Sequence, residues 1–373
     1  MSAIDNLIIG GGPAGLAIAG RLRQAGKDFT ILEAGKHVAE CWHNHYDRLH
    51  LHTVKQWSHL PHLPFSDDYP LYVPRKQLIA YFENYSNHFN IKPEFGVEVT
   101  HTRKIQNILW EVTTNTGTLY ARNVIIATGL NRVPQMPVWE GMQEFAGTIM
   151  HSVQYKNPDI FRGSRVLVVG MGNTGAEIAL DLSEANIPTW ISVRGTVNIV
   201  PRDLNGRPVQ ETSRLLERLP FGLGDWLGAK VQRIYFGNLE KYGLRRSKKY
   251  PAVELRETGK TPVIDIGTIK AIKEGRIQVV GGVHHFAKDG IVLDNGQLLK
   301  CEHVILATGY RPQLQELIEG ITAFLDKYGY PKGAIGTGEV EGLYFVGFDN
   351  YKLGGVLGTI NTDSETVVKS ITK

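Results

Sequence analysis

Short apolar runs, glycine-rich turns and amphipathic stretches follow one another from the start of this chain. Residues 7–9 form an apolar run, residues 16–24 carry apolar side chains at helical spacing and are followed by Gly26, and residues 29–32 form a second apolar run. Short runs that are apolar throughout are typical of strands buried on both faces of a parallel sheet. The order of strand, turn, helix and strand predicts a βαβ unit.

The turn between the first strand and the helix has the pattern G-x-G-x-x-G over residues 10–15. In dinucleotide-binding folds the first glycine permits a tight turn, the second lets the backbone approach a pyrophosphate, and the third allows the helix to pack closely on the strand. The helix N-terminus then directs unpaired N–H groups at the phosphates. An acid at residue 33 stands where a carboxylate can accept hydrogen bonds from both ribose hydroxyls. This context favours a FAD site over an incidental glycine turn, with candidate contacts at Gly10, Gly12, Pro13, Ala14, Gly15 and Glu33.

The same pattern recurs in the middle of the chain. An apolar strand at 165–169 leads into a second G-x-G-x-x-G turn at 170–175, a helical stretch at 176–185 and a strand at 189–193 that ends at Arg194. An acid there would repel a 2′-phosphate, whereas a guanidinium can bind it through paired charge-assisted hydrogen bonds. The second site therefore suits NADPH better than NADH, unless the arginine is only a solvated residue at a strand end. The candidate contacts are Gly170, Gly172, Asn173, Thr174, Gly175 and Arg194.

Two further segments, 124–129 and 304–309, are apolar strands that each end in Ala-Thr-Gly. A strand that stops at a small residue lets the backbone run beside a bound cofactor, so Ala127 and Thr308 are candidate contacts. Because the second fingerprint lies between these segments, we expect an α/β protein with two Rossmann-like dinucleotide-binding domains, the NADP domain being inserted into the FAD domain. The expected domains are FAD-binding at 1–159, NADP-binding at 160–305, and FAD-binding again at 306–373, where residues 342–347 supply a last strand.

Composition narrows the class of protein further. The chain has 373 residues, 42% of them hydrophobic, and a net charge of +4, which fits a globular protein of about two domains that is not a dedicated nucleic-acid binder. Its two cysteines, Cys41 and Cys301, exclude a disulfide scaffold and a C-x-x-C redox pair. No apolar stretch is long enough to span a membrane, and the N-terminus has no basic region of a signal peptide. We therefore expect a cytoplasmic protein without a membrane partner.

Between the two fingerprints, residues 145–155 fit the identifier F-x-G-x-x-x-H-x-x-x-Y, and on these motifs the chain resembles the flavin-containing monooxygenases. It differs from the Baeyer–Villiger pattern, which ends in Trp-Pro where this chain has Tyr155-Lys156. Within the family it is most similar to the YUCCA-type flavin monooxygenases, through residues 46–61, 259–268 and 342–347.

The resemblance implies FAD, NADPH and dioxygen, and a hydroperoxyflavin that transfers one oxygen atom. The acceptor would be a small soft nucleophile (sulfur or nitrogen), or an α-keto acid that loses carbon dioxide, as indole-3-pyruvate does with YUCCA-type enzymes. An NADPH oxidase or an NADPH-dependent flavoprotein reductase on the same fold stays open, as does a homodimer.

The resemblance also implies individual site residues. Trp42 matches a family tryptophan in the FAD site, although the glycines that usually precede it are replaced at 39–41. His52 and Thr53 fall where animal-type enzymes have an asparagine near the reactive flavin edge, and Gln56 follows in the family's Lys-Gln position; His52 and Gln56 are the catalytic candidates. Val99, in a strand expected at 96–100, would contact the adenine. Residues 349–352 depart from the YUCCA pattern.

Three groups of polar residues have simpler interpretations. Six histidines lie within residues 43–62, where packing and surface roles are favoured over metal ligation, and no metal is expected. His151 in the identifier is either structural or catalytic. The basic run at 245–249 is most simply a solvated turn.

Overall fold

The computed structural model describes residues 3–106, 109–216, 219, 222–352 and 354–373. The chain divides into two compact units. The first unit comprises Met1–Asn44, Thr53–Val133 and Tyr310–Lys373, and the second comprises His45–His52 and Pro134–Gly309. The inserted domain was expected to begin at residue 160. The second unit begins upstream of that residue, because the strand Thr148–His151 belongs to its sheet. Which cofactor each unit binds stays a prediction.

The described residues form ten helices and twenty-one strands. The helices are α1 Pro13–Gln24, α2 Glu40–His43, α3 Arg75–His88, α4 Asn173–Glu184, α5 Val209–Leu216, α6 Leu223–Phe236, α7 Pro251–Thr258, α8 Thr268–Lys273, α9 Leu314–Leu317 and α10 Gly355–Ile371. The strands are β1 Ile4–Ile9, β2 Thr30–Glu33, β3 Glu94–Phe95, β4 Val99–Gln106, β5 Leu109–Thr114, β6 Gly117–Ile126, β7 Val133–Pro134, β8 Thr148–His151, β9 Val166–Val169, β10 Thr189–Ser192, β11 Ile199–Pro201, β12 Asp203–Leu204, β13 Arg207–Pro208, β14 Val263–Asp265, β15 Ile277–Val280, β16 Val283–Ala287, β17 Gly290–Leu293, β18 Leu298–Leu299, β19 His303–Leu306, β20 Tyr310–Arg311 and β21 Leu343–Phe345.

The first unit is built on a sheet in the order β3-β2-β1-β6-β5-β4, with β21 also paired to β6. β1 lies parallel to both neighbours, with Ile8 aligned to Ile31 on one side and to Ile125 on the other. The C-terminal halves of β1 and β6, residues 7–9 and 124–126, are apolar and buried because both of their faces are covered there. The last strand predicted for residues 342–347 is confirmed, since β21 runs parallel to the end of β6.

The strand expected at 96–100 begins at Val99 instead. Gly96 has φ +72, a left-handed conformation that ends regular strand geometry. The backbone N–H groups of residues 96 and 97 donate to the carbonyls of Gly35 and Glu33, at 3.0 Å each. The segment therefore runs past the end of β2 before β4 begins.

The second unit is built on a five-stranded sheet in the order β15-β10-β9-β19-β8, in which all pairs are parallel. Val168 of β9 and Ile178 of α4 are fully buried in one hydrophobic cluster, so the helix packs on the sheet as the apolar pattern predicted. The α/β class with two Rossmann-like units, the second inserted into the first, is confirmed. Among the described residues, no helix is long and apolar enough to cross a membrane.

Candidate functional site

In the first glycine turn, between β1 and α1, the surrounding protein leaves no room for a side chain at two positions. Gly10 has φ +109, in the left-handed region that favours glycine, and a Cβ there would lie 2.6 Å from the carbonyl oxygen of Ala127. A Cβ on Gly15 would lie 1.9 Å from the carbonyl oxygen of Gly10. Both glycines are therefore required for β1, α1 and β6 to approach one another.

Gly12 differs from these two glycines because no atom of the described protein lies within 4 Å of a Cβ built there. It precedes Pro13, the first residue of α1, and no side chain caps the helix. The first N–H groups of a helix have no partner within the helix, and proline at the first position removes one that would be unsatisfied. The remaining groups, beginning at Ala14, face the space that Gly12 leaves open, and the donors and the open space fit a pyrophosphate.

Glu33, at the end of β2, closes the turn from the other side. Its Oε2 accepts a hydrogen bond from Gly11 N at 2.6 Å, and its Oε1 accepts one from Gly35 N at 2.7 Å. A carboxylate has about four acceptor positions, so these two bonds orient the group and leave acceptor capacity for ribose hydroxyls. Val99 begins β4, two residues after Val97, whose N–H donates to the carbonyl oxygen of Glu33 at 3.0 Å. Val99 is 7% exposed and packs in the core, so an adenine contact there would be made by its backbone.

The two Ala-Thr-Gly segments differ in how their threonines are bonded. Thr308 donates from Oγ1 to the carbonyl oxygen of Gln135 at 2.6 Å. The Oγ1 of Thr128 is buried and has no hydrogen-bond partner among the residues that the structure describes. Because a buried hydroxyl without a partner is costly, Thr128, one residue after Ala127, indicates a polar ligand in the first unit. The sequence prediction named Ala127 and missed Thr128.

The second glycine turn, between β9 and α4, repeats the first one closely. Gly170 has φ +107, and a Cβ there would lie 2.6 Å from the carbonyl oxygen of Ala307. A Cβ on Gly175 would lie 2.0 Å from the carbonyl oxygen of Gly170, whereas one on Gly172 meets no protein atom within 4 Å. The repeat of both crowding and open space fits a second dinucleotide.

Asn173 and Thr174 begin α4, but the side chain of Asn173 is engaged by protein. Its Oδ1 accepts a hydrogen bond from Ile264 N at 2.7 Å, and its Nδ2 donates to Pro262 O at 3.4 Å. The side chain of Asn173 thus connects α4 to the segment at 259–268. A contact between Asn173 and the cofactor would be made by its backbone N–H. Arg194 lies two residues after β10 and is exposed.

The side chain of His52 contacts a buried carboxylate that the sequence prediction did not name. His52 Nε2 is hydrogen-bonded to Glu177 Oε1, and the two side chains are 13% and 3% exposed. Tyr46 is also hydrogen-bonded to Glu177, and the carboxylate together with burial, which is the larger cause, raises the pKa of the Tyr46 hydroxyl well above its ordinary value. A buried carboxylate needs such partners. Glu177 therefore positions the imidazole of His52.

A second carboxylate on α4 joins the identifier motif to residues 45–52. Tyr155 donates from its hydroxyl to Asp181 Oδ2 at 2.7 Å, and Arg48 pairs with Asp181 Oδ1 at 3.1 Å and with Glu184 at 2.8 Å. Burial and the Asp181 carboxylate raise the pKa of Tyr155 well above its ordinary value. The acids at 177, 181 and 184 share one face of the helix at spacings of four and three residues. This stripe of acidic residues within an otherwise apolar helix could have been recognised from the sequence.

His151 has a structural role in the second unit. It is 2% exposed, its Nδ1 accepts a hydrogen bond from Val153 N at 3.2 Å, and its Nε2 donates to Gly309 O at 3.1 Å. Burial lowers the pKa of the imidazole, which fits the neutral tautomer that these bonds require. Of the two roles expected for His151, the structural one accounts for both ring nitrogens.

The remaining predicted residues lie in the first unit. Trp42, in α2, packs against Phe82 with ring centroids 6.0 Å apart. Thr53 Oγ1 is 2.7 Å from Ser58 Oγ, and Gln56 lies in a short 3-10 turn at Lys55–Trp57. Thr53 and His52 are neighbours in sequence but belong to different units. The two residues that were predicted to lie together near the flavin are therefore assigned to separate units.

The histidines at 43–62 contact different partners. His50 Nδ1 bonds to the carbonyl of Arg48 at 2.6 Å, and His59 Nδ1 bonds to that of Leu60 at 2.9 Å. Within the described part of the chain, no group of three or more His, Cys, Asp or Glu side chains is arranged to hold a metal ion.

Comparison with known proteins gives a consistent result. The profile of the family described as "Flavin-binding monooxygenase-like" matches residues 30–335. The chain is 38% identical over 365 residues to "Probable indole-3-pyruvate monooxygenase YUCCA7" from Arabidopsis thaliana, covering 94% of this chain and 84% of the relative. It is 38% identical over 375 residues to "Indole-3-pyruvate monooxygenase YUCCA1" from Oryza sativa subsp. japonica, covering 98% of this chain and 90% of the relative.

Solved structures show the same fold. "Flavin-containing monooxygenase from Stenotrophomonas maltophilia" superposes with a TM-score of 0.76 at 22% identity, covering 100% of this chain and 99% of the other. "Closed crystal structure of cyclohexanone monooxygenase" superposes with a TM-score of 0.75 at 18% identity, covering 99% of this chain and 85% of the other.

Proposed function

Because the chain belongs to the flavin-binding monooxygenase-like family, we propose that it is an FAD- and NADPH-dependent enzyme that oxidatively decarboxylates an α-keto acid of the indole-3-pyruvate type. The observation that carries the choice of substrate is 38% identity, over nearly the whole chain, to indole-3-pyruvate monooxygenases. In the balanced reaction, the keto acid, dioxygen, NADPH and a proton give the carboxylic acid shortened by one carbon, carbon dioxide, water and NADP⁺. Transfer of oxygen to sulfur or nitrogen is the second candidate.

The residues of the first unit would hold FAD. The N-terminus of α1 at Gly12 would receive the pyrophosphate, Glu33 would accept hydrogen bonds from the ribose, and the hydroxyl of Thr128 would find the polar partner that it lacks. When bound, FAD supplies the two-electron reduction of dioxygen that no amino-acid side chain can carry out.

The second unit would hold NADPH in a matching way. The N-terminus of α4 at Gly172 would receive its pyrophosphate, and Arg194 would bind the 2′-phosphate. Asn173 keeps α4 and the segment at 259–268 together, so the helix N-terminus is oriented before the ligand arrives. This fixed arrangement reduces the ordering that binding requires.

We further propose that His52 acts while oxygen is activated. Glu177 accepts a hydrogen bond from the proton on Nε2 and thereby leaves Nδ1 as the nitrogen of His52 that can face substrate or cofactor. A polar ring held in place by a buried partner can interact with developing charge without reorganising. Gln56 is retained as the second catalytic candidate, and Trp42 and Thr53 as flavin contacts.

The decisive experiment measures coupling. Purified holoenzyme would receive NADPH, dioxygen and one test compound from a set of aryl-pyruvates, thioethers and tertiary amines, while NADPH consumption, hydrogen peroxide, carbon dioxide and oxygenated product are followed together. One carbon dioxide per NADPH with an aryl-pyruvate is expected. Coupling to a thioether or amine alone would favour the second candidate, and peroxide equal to NADPH with every compound would indicate an NADPH oxidase.

A further inference from the structure

The basic run at 245–249 does not form an isolated solvated turn. Its backbone docks on the segment that follows β10: Val197 N donates to Arg245 O at 2.9 Å, and Ser247 N donates to Val197 O at 3.1 Å. The contact is a parallel bridge between Val197 and Arg246. The run is therefore held beside the strand end at which a dinucleotide-binding fold recognises the 2′ position of the ribose.

Two cationic side chains reach the turn that contains Arg194. Arg245 Nη2 donates to the carbonyl oxygen of Arg194 at 2.8 Å, and Lys260 Nζ donates to that of Thr196 at 3.3 Å. Gly195 lies between these carbonyls, and a Cβ there would meet no protein atom within 4 Å. The turn thus has three cations around an open position.

The fork of Arg245 has capacity beyond this one bond. A guanidinium carries five N–H donors. Among the described residues, the side chain of Arg245 uses one of them, in the hydrogen bond to the Arg194 carbonyl. The residue is exposed. Anchoring one donor on a carbonyl restricts the side chain, so that less rotamer entropy is lost when the others bind an anion.

Two carboxylates lie near these cations. Glu254 is engaged by Asn198 at 2.6 Å and by Lys260 at 3.5 Å. Asp294 lies against Gly282: a Cβ on Gly282 would be 2.3 Å from Asp294 Oδ2 and 3.4 Å from Arg194 Cγ. The three cations therefore exceed the two acids by one positive charge, and Glu254 is already bonded to Asn198 and Lys260.

We infer that Arg245 is a second specificity-determining residue for NADPH, which binds the 2′-phosphate together with Arg194, while Lys260 adds positive charge. A dianionic phosphate monoester is the ligand that paired guanidinium groups recognise best. The inference rests on the proposed use of NADPH.

The test uses adenosine 2′,5′-bisphosphate and adenosine 5′-monophosphate as probes, because they differ only in the 2′-phosphate. Calorimetric Kd values would be measured for FAD-loaded wild type, Arg245→Ala and Arg245→Lys. Lys248→Ala is the matched control in the same run, and Arg194→Ala is the positive control. We expect Arg245→Ala to weaken bisphosphate binding about 10- to 100-fold and monophosphate binding less than about twofold, with partial recovery in Arg245→Lys.

Equal weakening of both probes, or none, in Arg245→Ala would overturn the inference while Arg194→Ala still discriminates between them. If wild type binds both probes equally and uses NADH as well as NADPH, the proposed cofactor fails instead. Should Arg245→Ala not yield folded holoenzyme, Arg245→Gln retains an N–H donor for the Arg194 carbonyl and removes the charge. The same selective loss is then expected, and unchanged discrimination would contradict the inference.

Discussion

His52 Nε2 is hydrogen-bonded to Glu177 Oε1, and Glu177 is almost completely buried in the second unit. The pair joins a histidine that sequence resemblance selected to an acid that it did not. The same carboxylate is bonded to Tyr46, so three polar side chains satisfy one another away from water. Networks of this kind are rigid when every member has its partner and destabilising when one is removed.

Replacing His52 by alanine should leave FAD content and the rate of flavin reduction by NADPH nearly unchanged, but should raise hydrogen peroxide per NADPH. The reason is that a positioned hydrogen-bonding group is lost at the stage of oxygen activation. Glu177→Gln should have the same, weaker effect, because a neutral amide forms a weaker hydrogen bond with the imidazole than a carboxylate does. His50→Ala, in the same segment but bonded only to a backbone carbonyl, is the control. Peroxide yields equal to wild type in both variants would show that the pair only packs.

Replacing Arg194 by alanine should raise the KM for NADPH and leave that for NADH almost unchanged. The loss of a charged hydrogen bond predicts a cost of about 1.5–3 kcal/mol in kcat/KM with NADPH. Steady-state kinetics with both nucleotides test this, and Arg162→Ala, an exposed arginine paired with Asp159 at 2.9 Å, is the control. A parallel rise for both nucleotides would mean that Arg194 does not read the 2′ position.

Gly12→Ala and Gly15→Ala should fail in different ways. A Cβ on Gly12 meets no protein atom within 4 Å, and Gly12 has φ −76, which any residue adopts, so apoprotein stability should change by about 1 kcal/mol or less while FAD content falls. A Cβ on Gly15 would lie 1.9 Å from a carbonyl oxygen, which should cost about 3 kcal/mol or more. Flavin absorbance and urea unfolding of each apoprotein separate the two effects, and full FAD content in Gly12→Ala would contradict the proposed site.

Asp363 should make the first unit less stable as pH rises. Burial, the largest cause, raises its pKa from 3.8 to about 6, although its side chain accepts a hydrogen bond from Gly347 N at 3.0 Å. Because the folded-state pKa is above the unfolded value, the stabilising contribution is complete below about pH 4 and is lost as pH rises through about 6. The loss amounts to as much as ~3 kcal/mol.

The matching variant is Asp363→Asn, whose side-chain oxygen can still accept the Gly347 bond. It should equal wild type at pH 4 and be more stable at pH 8, as measured by thermal unfolding at both values. Asp28→Asn, at an exposed position, is the control. A stability difference that does not change with pH would contradict the assignment.

The local parts of the fold were predictable because they depend on short-range pattern. The glycine turns at Gly10 and Gly170, the strands on either side and the helices after them follow from backbone sterics and apolar periodicity, and the structure reproduces them to within a few residues. The prediction that this strand begins at residue 96, and not at Val99, was wrong because Gly96 has a left-handed backbone and interacts with the segment after β2 through a tertiary hydrogen bond.

The parts that sequence reasoning missed depend on contacts between distant segments. Nothing local to Glu177 shows that it meets His52, which is 125 residues away, and nothing in the run at 245–249 shows that Arg245 reaches the turn of Arg194. The acidic stripe on α4 was visible as a pattern, but its partners were not, because the pairing of helix faces is set by tertiary packing and not by periodicity.

The assignment of residues 45–52 to the second unit has a consequence for how the chain matures on the ribosome. At about 5–20 residues per second, the 125 residues between His52 and Glu177 take about 6–25 s to synthesise, and during that time the early segment has no helix to pair with. The contacts of the first unit form later still, because Arg21 of α1 bonds to Asn361 of α10, which follows it by 340 residues. Every segment of the second unit is therefore available once Gly309 has emerged, whereas the apolar strands of the first unit lack α10 until residues 355–371 have followed.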